Sequence, residues 1–283
     1  MNKTTHLKSY LKELAPQGIC LAYSGGVDSA TLLALLMHLK TEALTFNLKI
    51  LFFRSLFQSK KAISDALLNA AKLEATLEIV DFKVLSLPEM QDNPHNRCYL
   101  CKKELFSLAR KIADASGVRF LLDGSNADDA KCHRPGKKAA LELDVISPFE
   151  KFNFTKEEVR LLAQELSLPF ADAPAESCLA TRLPYGSTLT ERVLQKIEQG
   201  EAVLRSMGFE VLRLRCYRDG IATVEILPQQ FSLFLKKKLE ICSALKALGF
   251  QHITLDLEGF QSGSMDTLIS CSDKLCKKQE GAP

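Results

Sequence analysis

The stretch "ICLAYSGGVDSATLLALL", residues 19–36, constrains the fold more than any other. Five apolar or aromatic residues lead through one serine to a pair of glycines, and an apolar helix-like run follows at once. The same switch recurs along the chain. "ILFF" precedes "KKAISDALLNAAKL", and "TLEIVDF" leads through a long loop to "KKELFSLARKIADA". "RFLLDG" is another short strand that ends in a turn. In "TKEEVRLLAQEL", Thr155 and Glu158 form a capping-box pattern ahead of leucines at helical spacing. Short apolar runs alternating with helices predict βαβ units, hence an α/β protein with a parallel sheet and helices on both faces. Ligands of such sheets bind beyond the C-terminal ends of the strands. The loops that follow the strands are therefore where chemistry is expected.

The pattern changes after Gly186. The helical run "TERVLQKIEQGEAVLRSMG" precedes two strand-like runs, "EVLRLRCY" and "IATVEIL", joined by the hairpin signal Arg218-Asp219-Gly220. A helix and the strand "HITLDLE" follow. This predicts a first domain over 1–183, a smaller α+β domain over 184–270 for substrate binding or oligomerisation, and a flexible tail over 271–283.

Composition narrows the class. The chain has 283 residues, 46% hydrophobic and 25% charged, which is ordinary for a globular protein. The opening "MNKTTHLKSYLKEL" is polar and amphipathic rather than a signal peptide, and "ATLLALLMHL" is too short to span a bilayer. A cytoplasmic protein without a membrane partner is expected. Nine cysteines in such a chain are not a disulfide framework. Cys20, Cys216 and Cys242 are expected as small core residues. The formal charge of +3 lacks the strong basic excess of an extended nucleic-acid surface, so a nucleic-acid partner is not expected.

"AYSGGVDSA", residues 22–30, carries the first chemistry. Gly25 and Gly26 allow a sharp turn and close approach to a ligand. Ser24 and Ser29 offer hydroxyls, and Asp28 can hold Mg²⁺. The helix start supplies free N–H groups for phosphate. The pattern lacks the Gly-Lys-Ser/Thr ending of a Walker loop. "NRCYLCK" carries the second: Cys98 and Cys101 lie one helical turn apart, a spacing that suits a disulfide, a zinc half-site or two legs of an iron–sulfur cluster. Zinc needs further ligands, which Cys132-His133 offers. Arg213 and Arg215 alternate with Leu212, Leu214 and Cys216, so both arginines project from one strand face. They form either a solvated face or a phosphate clamp, since paired guanidinium groups suit phosphate. His95 and the Lys137-Lys138 pair are expected to be solvated.

The glycine loop resembles the signature of PP-loop pyrophosphatases. That resemblance implies cleavage of ATP to AMP and pyrophosphate, with adenylation of a carbonyl or carboxylate oxygen that a nitrogen or sulfur nucleophile then displaces. Three stretches narrow it. "DGSNADDAKCHRPGKKAALEL" places Asn126, Asp128 and Asp129 after a strand. "PAESCLATRLPYG" places Cys178 four residues before Arg182. "NPHNRCYLCK" holds the cysteine pair. Together these are similar to the LarE family, the ATP-dependent sulfur transferases of nickel-pincer nucleotide synthesis, over about Ser24 to Glu225.

The resemblance implies a pyridinium mononucleotide substrate whose carboxylates are adenylated and given sulfur in place of oxygen, for the cofactor of lactate racemase. It implies ATP at Ser24, Gly25, Gly26, Asp28, Ser29, Asn126 and Asp128, Mg²⁺ on Asp28, and Asp28 and Cys178 as the catalytic pair. It favours Arg182, Arg213 and Arg215 as the phosphate clamp, and it implies a sulfide donor and a homo-oligomer. Family members with one cysteine, at the position of Cys178, give up its sulfur and are left with dehydroalanine. Members with an added CxxC hold a [4Fe–4S] cluster on three thiolates, which here would be Cys98, Cys101 and Cys178. Three thiolates leave one iron open. Lys60, Lys61 and Ser64 stand where the family usually has an acidic residue. The alternatives are a PP-loop tRNA thiolase and a non-catalytic nucleotide or iron–sulfur sensor.

Overall fold

Residues 2–41, 45–131, 136–173, 176–217 and 220–261 are described by the computed structural model. Cys132-His133, the turn residues Arg218 and Asp219 and the tail 271–283 lie outside these described residues. The chain divides into two units, Met1–Met90 with Pro94–Ser177, and Gln91–Asn93 with the chain from Cys178 onward.

In chain order, the first unit contains α1 (Lys3–Leu14), β1 (Ile19–Tyr23), α2 (Val27–Thr41), β2 (Leu48–Arg54), α3 (Lys60–Lys72), β3 (Glu78–Asp81), α4 (Arg97–Ala115), β4 (Phe120–Leu122), α5 (Ala127–Lys131), α6 (Gly136–Glu142), β5 (Val145–Ile146), α7 (Pro148–Lys151) and α8 (Lys156–Glu165). Its strands form a parallel sheet in the order β3-β2-β1-β4-β5 among the described residues, flanked by helices. The α/β expectation is met. β5 is two residues long, too short to leave a period in the sequence.

β1 is central because it is apolar throughout, and a strand hydrogen-bonded on both sides under helices has little water to face. Ile19, Cys20 and Leu21 have no exposed surface. Burial pushes the Cys20 thiol up to about 12, as expected of a core cysteine. Leu7, Leu11 and Leu14 of α1 and nearly the whole circumference of α2 fill the space over the sheet. Each such leucine contributes about 2 kcal/mol of burial. α8 starts at the capping box its sequence announces: Thr155 accepts from the Glu158 N–H, and Glu158 accepts from the Thr155 N–H.

The strand order fixes where a ligand can lie. From β1 the chain runs outward to β2 and β3, then returns to the other side of β1 as β4. β1 and β4 pair in register, Leu21 opposite Leu122. The loops beginning at Ser24 and Asp123 therefore leave the same sheet edge, at the point where the winding reverses, which is the crevice open α/β sheets use for ligands.

The second unit contains α9 (Glu191–Ser206), β6 (Leu212–Cys216), β7 (Ile221–Ile226), α10 (Phe231–Lys236), α11 (Lys238–Ala247) and β8 (His252–Leu255). β6 and β7 are antiparallel, and β8 joins β7 in parallel. Among the described residues no helix is long and apolar enough to cross a membrane.

Candidate active site

The glycine loop is held from both sides. The Ser29 hydroxyl accepts from the Ser24 N–H at 3.2 Å and donates to the Gly26 carbonyl at 3.1 Å, so it knots the turn that opens α2. Gly25 is in the left-handed region at φ +82°, and a Cβ there would collide with Ala66 of α3. Tyr23 adds to that packing by donating its hydroxyl to the Ala66 carbonyl at 3.0 Å. A Cβ at Gly26 would meet nothing nearer than the Ser24 hydroxyl at 3.6 Å. Gly25 is thus required by packing, whereas Gly26 leaves backbone open.

Above the loop is a cavity of about 230 Å³. Its polar lining includes Ser24, Asp28, Ser29, Lys102, Asp123 and Asp129, and Phe53, Leu105 and Phe106 give it an apolar wall. Asp28 is the most constrained group. Its Oδ2 accepts from the Lys156 ammonium at 2.6 Å, while its Oδ1 is buried with no hydrogen-bond partner among the described residues. Burial raises its carboxyl above the usual value against the pull of Lys156. Asp123 is 6% exposed and well satisfied: Ser125 donates both its N–H and its hydroxyl, Ser147 donates its hydroxyl at 2.6 Å, and Lys102 Nζ lies 3.6 Å away.

Asn126 and Asp128 each anchor a helix start, and the Asn126 side chain also acts on Asp28. The Asn126 side-chain oxygen accepts from the Asp128 and Asp129 N–H groups and caps α5. Asp128 accepts from the Lys156 N–H at 2.8 Å at the start of α8. It is Asp129, one residue on, that lines the cavity. Three contributors escaped the sequence reading. Lys102 directly follows the cysteine pair and reaches the cavity because α4 carries it there. Lys156 follows the Thr155 cap. Gly124 follows β4, where a Cβ would lie 2.6 Å from the Ser29 N, so only glycine lets the two loops touch. The "DG" after "RFLL" was the one signal for it.

Cys98 and Cys101 occupy the first turns of α4, exposed and half-buried respectively, and both are thiols. The helical spacing puts them on one face. They belong to the first unit, and Cys178, half-buried at the cap of the short 3₁₀ helix Leu179–Arg182, belongs to the second. No three His, Cys, Asp or Glu side chains are grouped to hold a metal ion among the described residues.

In the second unit, neither Arg213 nor Arg215 is solvated. β6 is buried on both faces, and the residues are 9% and 3% exposed. Arg215 is ion-paired with Glu225 and donates to the Thr181 carbonyl at 2.8 Å. Arg213 donates to the Gln261 carbonyl at 2.6 Å and stacks on the Phe260 ring at 4.5 Å. Arg182 pairs with Glu201 at 2.6 Å, and the same carboxylate takes Arg205 and the Leu214 N–H. Burial, with Arg182 and Arg215 nearby, holds the Arg213 guanidinium below its usual value. Four guanidinium groups against two carboxylates leave a positive excess that suits an anion.

No protein-family model matches the chain. It is 34% identical over 271 residues to an uncharacterised protein of Synechocystis sp., covering 95% of this chain and 98% of that one. It is 33% identical to an uncharacterised protein of Methanocaldococcus jannaschii, with 93% and 98% covered. It is also 33% identical over 267 residues to the pyridinium-3,5-bisthiocarboxylic acid mononucleotide synthase of Lactiplantibacillus plantarum, with 94% and 95% covered. That similarity spans nearly the whole chain, and on it the chain belongs to the LarE family.

Proposed function

We propose that this protein is an ATP-dependent sulfur transferase that replaces carboxylate oxygen by sulfur on a pyridinium mononucleotide. The observation that carries the reading is the buried Asp28 carboxylate. One of its oxygens has no partner, and it faces a cavity at the mouth of a helix-opening glycine turn, in a chain whose named relative makes a bisthiocarboxylate nucleotide. The chemistry requires activation. A carboxylate oxygen departs poorly as hydroxide, whereas AMP departs well from the mixed anhydride it forms with the carboxylate. Attack by the carboxylate on the α-phosphorus of ATP releases pyrophosphate, and a sulfur nucleophile then adds to the acyl carbon and expels AMP.

The chain's groups divide this work. The open backbone at Gly26 and the free N–H groups of α2 receive phosphate oxygens. Phe53, Leu105 and Phe106 form a wall for a planar base. The cavity lining carries three carboxylates and one ammonium, so a polyphosphate needs a cation beside it. The unpartnered Asp28 oxygen fits Mg²⁺, which when bound would neutralise phosphate charge. Lys102 adds a fixed positive charge. Arg182, Arg213 and Arg215 hold the phosphate of the substrate mononucleotide. Cys178 delivers the sulfur, either its own or that of a cluster. Thiolates are the donors that iron–sulfur clusters take, and Cys98, Cys101 and Cys178 would hold a [4Fe–4S] cluster able to supply sulfide. The reading includes a homo-oligomeric, cytoplasmic enzyme that needs a sulfide donor.

The test is incubation with ATP, Mg²⁺ and the pyridinium-3,5-dicarboxylic acid mononucleotide. AMP and pyrophosphate should appear together with a product in which sulfur replaces oxygen by mass. Asp28→Ala should abolish both while leaving the unfolding transition near its original position. Release of ADP and phosphate, or cleavage that depends on tRNA instead of the mononucleotide, sinks the reading.

A further inference from the structure

Lys156 had no role in the sequence, yet its place is among the most firmly built in the first unit. Three anchors hold the start of α8. These are the Thr155–Glu158 capping box, the Lys3 ammonium on Glu158 at 2.7 Å, and the Asp128 carboxylate on the Lys156 N–H at 2.8 Å. From there the side chain reaches back to Asp28 Oδ2 at 2.6 Å. Asp28 therefore has one oxygen taken by an ammonium and one without a close hydrogen-bond partner, with the Asn126 side chain nearby.

We propose that Lys156 is an internal counter-ion that holds the Asp28 metal position closed in the nucleotide-free protein and withdraws when a divalent cation arrives with ATP. The inference rests on the reading of Asp28 as the metal ligand. A divalent cation bound to Asp28 would lie about 2 Å from a carboxylate oxygen. That places it within a few ångströms of the ammonium, where like charges repel strongly at low dielectric. Metal and ammonium therefore compete for one carboxylate. Lys156 can yield, because its side chain is 33% exposed and its four-carbon stem is flexible. The neighbouring pair is built differently. Asp123 is satisfied by Ser125 and Ser147, so Lys102 at 3.6 Å is not its main partner. The consequence is ordered binding: metal bound with the nucleotide, and little metal bound alone.

Mn²⁺ binding followed by electron paramagnetic resonance tests this, with no turnover required. Wild-type protein should bind Mn²⁺ weakly alone and tightly with a non-hydrolysable ATP analogue. Lys156→Met should bind Mn²⁺ without nucleotide about tenfold more tightly than wild type, the scale of a partly buried ion pair removed from competition. Lys156→Gln offers the same readout if the methionine variant does not fold. Lys156→Arg should behave as wild type, and Asp28→Asn should remove the gain from the Lys156→Met background. Unchanged or weaker Mn²⁺ binding in both uncharged variants overturns the counter-ion role and leaves Asp28 as a metal ligand. Failure of wild type to bind Mn²⁺ even with nucleotide overturns both together.

Discussion

At the scale of single residues, the second unit is governed by charge that water does not reach. Glu201 is 1% exposed and accepts from Arg182, Arg205 and the Leu214 N–H. An ion pair of this kind adds little net stability, but breaking it strands a buried cation. Glu201→Gln should therefore cost about 3–5 kcal/mol in denaturant unfolding, whereas Glu191→Gln at the exposed start of α9 should cost less than about 1 kcal/mol. Equal, small losses in both variants would show Glu201 to be an ordinary surface acid. The arginines were legible as alternation in "LRLRC", but their partners were not. Glu225, the partner of Arg215, reaches it only through the β6–β7 pairing, and the Gln261 carbonyl that takes Arg213 lies 48 positions away, so both pairings are products of tertiary structure. The same limit hid Lys156, which lies 128 positions from the Asp28 it contacts.

At the scale of elements, the strand–turn–helix at residues 19–41 was readable because its signals are local: an unbroken apolar strand, paired glycines and a helix start. The two glycines look alike in sequence and differ in the fold. Gly25→Ala forces an L-residue to φ +82° and drives a methyl group into Ala66 of α3, so it should lower stability and nucleotide binding together. Gly26→Ala meets only open space and the Ser24 hydroxyl. It should unfold within about 1 kcal/mol of wild type and yet lose affinity for ATP. Thermal melts beside nucleotide titration separate the two, and a stability loss in Gly26→Ala would mean that the turn, not the ligand, requires that glycine. Gly124 supports the loop from the neighbouring strand, and its role was hidden because it depends on which strand lies beside β1. The capping box of α8 was fully legible, since both of its partners lie within four residues.

At the scale of the whole molecule, the candidate residues are divided between two units. The first carries the glycine loop, the carboxylates and the Cys98–Cys101 pair. The second includes Cys178 and carries the buried arginines. The source of sulfur then follows from what Cys178 becomes. If its own sulfur is transferred, the thiolate attacks the adenylated carboxylate and expels AMP. Elimination across the Cα–Cβ bond then leaves sulfur on the substrate and dehydroalanine in the chain, so each Cys178 serves once. If three thiolates hold a cluster with an open iron, Cys178 survives and turnover continues while sulfide is supplied. Anaerobic reconstitution should load about four irons per chain, the stoichiometry of a [4Fe–4S] cluster. Cys98→Ala with Cys101→Ala should lose that iron, and the wild-type chain should keep its mass through several turnovers. Absence of iron, with a loss from Cys178 equal to one hydrogen sulfide per sulfur transferred, would instead establish the sacrificial route and leave the exposed Cys98 thiol without a part in catalysis.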